Sequence, residues 1–145
     1  MQFSTLGPDT LKELRGAALA GGRERVHTFV DMHDIGDMLV HSGFADPVMD
    51  MEPLTLTYRN VDALFADLRA AGTTSALGRR ARGLAPRREF ERLRAAYEAW
   101  RRDGVLPATF EVIYGHAWKP APRLGRARDG VAVIRPQDIG RGPGR

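Results

Sequence analysis

The spacing of apolar positions changes several times along the chain, and each change marks an element. "MQFSTLG" reads as the end of a strand running into a Gly-Pro turn; the chain starts inside that strand, which is unusual for a complete domain. Residues 8–20, "PDTLKELRGAALA", predict a short helix with Pro8 in its first turn and Leu11, Leu14 and Leu19 on the apolar side. "GGRERVHTF" reads as loop. A second helix is predicted over 31–42. Asp31 is its N-cap, Asp34 its acidic first turn, Met32, Ile35 and Leu39 its apolar stripe, and Gly43 its stop.

"PVMDMEPLTLTY" alternates as a strand, but the phase flips: Met49 and Met51 have one parity, Leu54, Leu56 and Tyr58 the other. Pro53 stands at the flip, so a bend or bulge is expected there. "NVDALFADLRAAG" predicts an amphipathic helix capped by Asn60, with Val61, Leu64, Phe65 and Leu68 inward. Residues 72–85 form an Arg-rich loop of small residues. Residues 86–104 predict a strong helix striped by Phe90, Leu93, Tyr97 and Trp100. A last strand, "PATFEVIYGHAWKP", alternates Phe110, Val112 and Tyr114, and packing is the expected role of "YGHAW". From Ala121 the sequence is rich in Arg, Gly and Pro, and a mobile tail is expected over 121–145.

Composition narrows the picture. There are no cysteines, which excludes disulfides and thiolate metal sites and fits a reducing compartment. No apolar run approaches the ~20 residues of a membrane span, and the N-terminus lacks the pattern of a signal peptide. A cytoplasmic protein without membrane contact is expected. The net charge of +4 is uneven: residues 79–102 hold nine arginines against three glutamates. Such a patch suits an acidic partner, or is solvated surface in a chain that prefers Arg to Lys. Nucleic acid fits poorly, because Phe90, Tyr97 and Trp100 are expected to be buried instead of interleaved with the arginines.

Asp31, His33, Asp34, Asp37 and His41 look like a polar cluster, but a helix spreads them over about 15 Å. No third ligand accompanies His33 and Asp37, so no metal site is expected. His41 reads as a surface histidine. His33 is open to two readings, pocket-lining or structural hydrogen bonding.

Three segments together, "FSTLGPDTLKEL", "DMHDIGDMLVHSGFADPVMDMEPLTLTY" and "LPATFEVIYGHAWKP", resemble the malonyl-acyl-carrier-protein O-methyltransferases of biotin synthesis, over Phe3 to about Pro120. The resemblance is to the C-terminal half of that family. It implies an α/β chain, the C-terminal part of a Rossmann-like class I methyltransferase fold. Residues 1–120 would supply strands five, six and seven in the order 5-7-6, the seventh antiparallel, with 59–107 as a helical, Arg-rich insertion between the last two. The family's glycine-rich S-adenosylmethionine loop belongs to its first half. "GRGPG" at 140–144 reads as a chance match in the tail.

Ligands in open α/β sheets bind beyond the carboxyl ends of the parallel strands. On the resembled fold, Ser4, Thr5, His33 and Tyr58 would then line the substrate, with Arg79, Arg80 or Arg82 holding the malonyl carboxylate. Arg87 and Arg88 would dock an acidic acyl carrier protein. The reaction implied is methylation of a carboxylate that is already a nucleophile, so alignment matters more than a base. No catalytic residue is assigned. S-adenosylmethionine is expected for the whole enzyme and not for this chain alone. The chain would be an inactive substrate-recognition half, a free-standing carrier-binding module, or one part of a split enzyme completed by a separate N-terminal half.

Overall fold

The computed structural model describes residues 1–20, 26–73 and 86–120. In chain order its elements are β1 (Gln2–Leu6), α1 (Lys12–Ala20), α2 (Met32–His41), β2 (Ala45–Tyr58), α3 (Val61–Ala70), α4 (Arg87–Glu98) and β3 (Leu106–Trp118). The protein is α/β. Its three strands form one sheet in the order β1-β3-β2, with β3 antiparallel to both neighbours. β1 and β2 therefore run the same way on either side of β3, the arrangement expected of the three strands among themselves.

Local chemistry sets three of the helix ends. Asp31 accepts the His33 N–H at 2.8 Å, and Asn60 accepts the Ala63 N–H at 2.9 Å. Both are N-caps that satisfy an otherwise orphaned donor. Gly43, at φ 83°, ends α2 in a conformation that L side chains rarely adopt.

Four expectations need correction. First, α1 begins at Lys12, not Pro8. Leu11 has φ 53°, and an α-helix cannot pass through a left-handed residue. Second, Pro53 makes no bulge. It pairs with Glu111 in unbroken register, and the irregularity lies between Ala45 and Val48. Glu111 gives its N–H to the Thr10 hydroxyl and its carbonyl to the Gly7 N–H, so both groups face β1. Directly opposed antiparallel residues exchange both bonds or neither. Pro53 thus lies at a non-bonded pair, and its missing N–H faces the open edge of β2.

Third, the buried parity of β3 is Thr109, Glu111, Ile113, Gly115 and Ala117; Phe110 and Val112 are half-buried, while Tyr114 and Trp118 are exposed. Trp118 stands edge-on to His116 at 4.7 Å between ring centres. Fourth, Trp100 lies beyond the end of α4 and is exposed, and Glu89 joins Leu93 and Tyr97 on the buried side.

The phase flip in β2 is a change of face within an unbroken register. With the register intact, Met49 and Met51 point to one face of the sheet and Leu54, Leu56 and Tyr58 to the other. α2 packs beside the first face, where Met49 Cγ is 3.7 Å from where a Cβ on Gly36 would stand. On the second face Leu106 and Ala108 cluster with Leu14 and Ala17 of α1, Val61 and Leu64 of α3, and Leu93 and Tyr97 of α4. Along β2 itself only Ala45, Pro47, Met49 and Tyr58 are half-buried, while Met51, Leu54 and Leu56 are exposed.

Candidate functional site

The turn joining β1 to α1 stands at the carboxyl end of β1, and three of its four N–H groups are bonded to β3. The N–H groups of Gly7, Asp9, Thr10 and Leu11 go to the Glu111 carbonyl, Glu111 Oε2, the Gly7 carbonyl and the Thr109 carbonyl. A Cβ at position 7 would sit 2.5 Å from the Glu111 carboxyl carbon, so a larger residue there would push that carboxyl off the Asp9 N–H. Glu13 is buried and accepts from the Thr109 N–H at 3.0 Å and the Thr109 hydroxyl at 2.5 Å. The Arg15 guanidinium donates to the carbonyls of Pro8, Thr10 and His27. These acids and threonines escaped the sequence reading. The one visible signal was Glu111 inside an otherwise apolar and β-branched strand.

The residues expected to line substrate fall in separate places. Ser4 is exposed opposite Tyr114, while Thr5 is half-buried opposite Ile113 on the other face. Tyr58 pairs with Leu106, eight positions along β3 from Tyr114. At ~3.3 Å per residue, about 26 Å separates the levels of Ser4 and Tyr58. Tyr58 donates its hydroxyl to Asp67 Oδ2 at 2.6 Å; burial first, then Asp67, pushes that hydroxyl up to about 12. His33 is exposed, with Nδ1 2.7 Å from Asp31 Oδ1, and so folds back onto its own helix cap. It does not reach Asp37, whose carbonyl oxygen is instead 2.7 Å from His41 Nδ1. The His33 N–H, then its ring, holds the Asp31 carboxyl below its ordinary value. Among the described residues, no three His, Asp or Glu side chains converge to hold a metal. No described helix is long and apolar enough to cross a membrane.

Arg79, Arg80 and Arg82 lie outside the described residues. Of the basic segment's remaining arginines, Arg87 pairs with Glu91 at 2.9 Å and Arg94 with Asp62 at 2.5 Å. Arg101 binds Glu98 at 2.7 Å and the carbonyls of Arg59 and Gly104. Arg102 donates to the carbonyls of Ala99 and Arg101. Arg88 and Arg92 line a shallow open depression with Glu91 and Ala95.

No family model matches the chain. Curated proteins do. The chain is similar to one part of malonyl-[acyl-carrier protein] O-methyltransferases. The protein of that name from Gallionella capsiferriformans is 58% identical over 137 residues, which are 93% of this chain and 46% of the relative. The one from Nitrosospira multiformis is 60% identical over 122 residues, 83% of this chain and 40% of the relative. Malonyl-[acyl-carrier protein] O-methyltransferase 1 of Coxiella burnetii is 45% identical over 137 residues, 94% of this chain and 48% of the relative. The chain thus spans less than half the length of these methyltransferases.

The resemblance implies S-adenosylmethionine for a whole methyltransferase of this kind. At the described strand-to-helix junctions, part of the backbone that would face it is already bonded within the chain. The 7–11 turn has no amide left to offer a ligand. At the other strand-to-helix junction, Asn60 turns its side chain back onto the Ala63 N–H.

Proposed function

We propose that this chain is the substrate-recognition, C-terminal half of a methyltransferase that esterifies the free carboxylate of malonyl-acyl carrier protein in biotin synthesis. Its strands would be the fifth, seventh and sixth of a larger sheet. The observation that carries the reading is the identity of 45–60% over most of this chain to malonyl-[acyl-carrier protein] O-methyltransferases of which the match covers less than half. The free edge of β1 supports it: among the described residues β1 pairs with β3 alone. S-adenosylmethionine would be held by the other half, and this half would supply the carrier surface and the walls beyond the strand ends, in the cytoplasm.

Co-expression of the chain with the remaining portion of a relative tests this. The pair should transfer labelled methyl from S-adenosylmethionine to malonyl-acyl carrier protein, and the chain alone should neither transfer it nor bind S-adenosylmethionine. One-to-one binding by the chain alone in calorimetry overturns the division of labour. A pair that assembles but stays inactive, where the intact relative is active, overturns the function.

A further inference from the structure

The basic segment looks uniform in sequence, but its arginines are not equivalent in the fold. Arg87, Arg94 and Arg101 each hold an acidic side chain, and Arg102 is tied to backbone carbonyls. Arg88 and Arg92 make no hydrogen bond or ion pair to any described residue, and both are exposed. They are four apart on one helix, so their Cβ atoms stand about 6 Å apart on a single face. Ala95 continues that face one turn on, and its small side chain leaves the depression open to close approach. Glu91 lines the other side.

We infer that the Arg88–Arg92–Ala95 face of α4 docks an acidic helix of the acyl carrier protein, a refinement that rests on the function proposed above. Two carboxylates at i and i+4 on a docking helix have the same ~6 Å spacing as the two guanidinium stems. Ala95 gives that helix a place to lie against. Glu91 is itself held by Arg87, so the net charge of this face comes from Arg88 and Arg92. The inference moves the docking pair from Arg87 and Arg88 to Arg88 and Arg92, since Arg87 is already held by Glu91.

The test is binding of malonyl-acyl carrier protein to the chain by fluorescence anisotropy at several salt concentrations. The double variant Arg88→Glu, Arg92→Glu should weaken binding at least tenfold and flatten its salt dependence. A double variant with the same charge change elsewhere, Arg69→Glu with Lys119→Glu, should stay within about threefold of the parent, since screening limits the reach of distant charges to ~10 Å. Circular dichroism should show both variants folded. Equal losses in the two variants would overturn the inference and leave only a diffuse charge effect. Unchanged affinity in the first variant would overturn the docking face and spare the proposed function. A parent that fails to bind carrier even at low salt would overturn both. Competition by a DNA duplex as strong as that by unlabelled carrier would mark the face as a nucleic-acid surface and overturn the assignment.

Discussion

Glu13, in the first turn of α1, accepts hydrogen bonds from both the backbone N–H and the hydroxyl of Thr109, near the start of β3. The two residues are 96 positions apart in sequence. β1 stops at Leu6, opposite Val112, so the backbone of β3 before that point has no strand partner on this side. The Gly7–Leu11 turn and the Glu13 side chain take its place. Glu13→Ala orphans the buried Thr109 N–H and should cost about 3 kcal/mol of unfolding free energy. Glu13→Gln keeps one acceptor and should cost about 1 kcal/mol. Urea denaturation distinguishes them; equal stability of Glu13→Ala and the parent would remove Glu13 from this role.

Gly115 faces a second close approach. A Cβ at this position would run into the ring of Phe3, its partner across the β1–β3 ladder. Gly115→Ala should therefore destabilise the chain by about 2 kcal/mol, as overpacking does. Phe3→Leu in the same background should recover part of that loss. A double variant no more stable than Gly115→Ala would show that the clash is not with Phe3.

The cap on α2 makes a pH prediction. Asp31 has its carboxyl held below its ordinary value, first by the His33 N–H and then by the His33 ring. A depressed carboxyl contributes stability above its unfolded value and loses it as pH falls through the folded one. Asp31→Ala should therefore lower the melting temperature at neutral pH. The gap from the parent should close as pH drops below about 4, the ordinary range for an aspartate. Asp31→Asn, which caps without a charge, should show less of this pH dependence. A gap that stays constant down to low pH would assign the loss to something other than the cap.

Val48 is 62% exposed, Tyr114 44% and Trp118 59%, and all three lie on one sheet face. Beside them β1 offers an edge that no described residue pairs. Exposed edges and apolar patches favour association. The chain alone should sediment as a concentration-dependent mixture and bind a hydrophobic dye. Val48→Lys with Trp118→Lys should reduce both signals and lower the melting temperature only slightly, because neither side chain is buried and the ring contact of Trp118 with His116 is the one lost. A compact monomer in the parent at high concentration would count against this.

The two ends of α2 and the start of α3 were legible because their causes are local. Asp31, Asn60 and Gly43 act on groups within a few positions, and a side chain's own neighbours decide a cap. The resemblance also carried the strand order, although no pairing rule inside the sequence requires it. What the sequence left open is every feature that depends on a partner far along the chain. The parity change around Pro53 shows the limit. A bulge and a change of apolar face leave the same sequence pattern, and only the pairing of Pro53 with Glu111 separates them. The arginine segment shows it again. Of the nine arginines over 79–102, six are described: one is used by Asp62, one by Glu91 and one by Glu98, Arg102 is tied to backbone carbonyls, and Arg88 and Arg92 face solvent. Periodicity reports which side of an element is apolar; which side is covered, and which charge is already neutralised, depends on helices and strands brought together from elsewhere, and tertiary packing alone decides it.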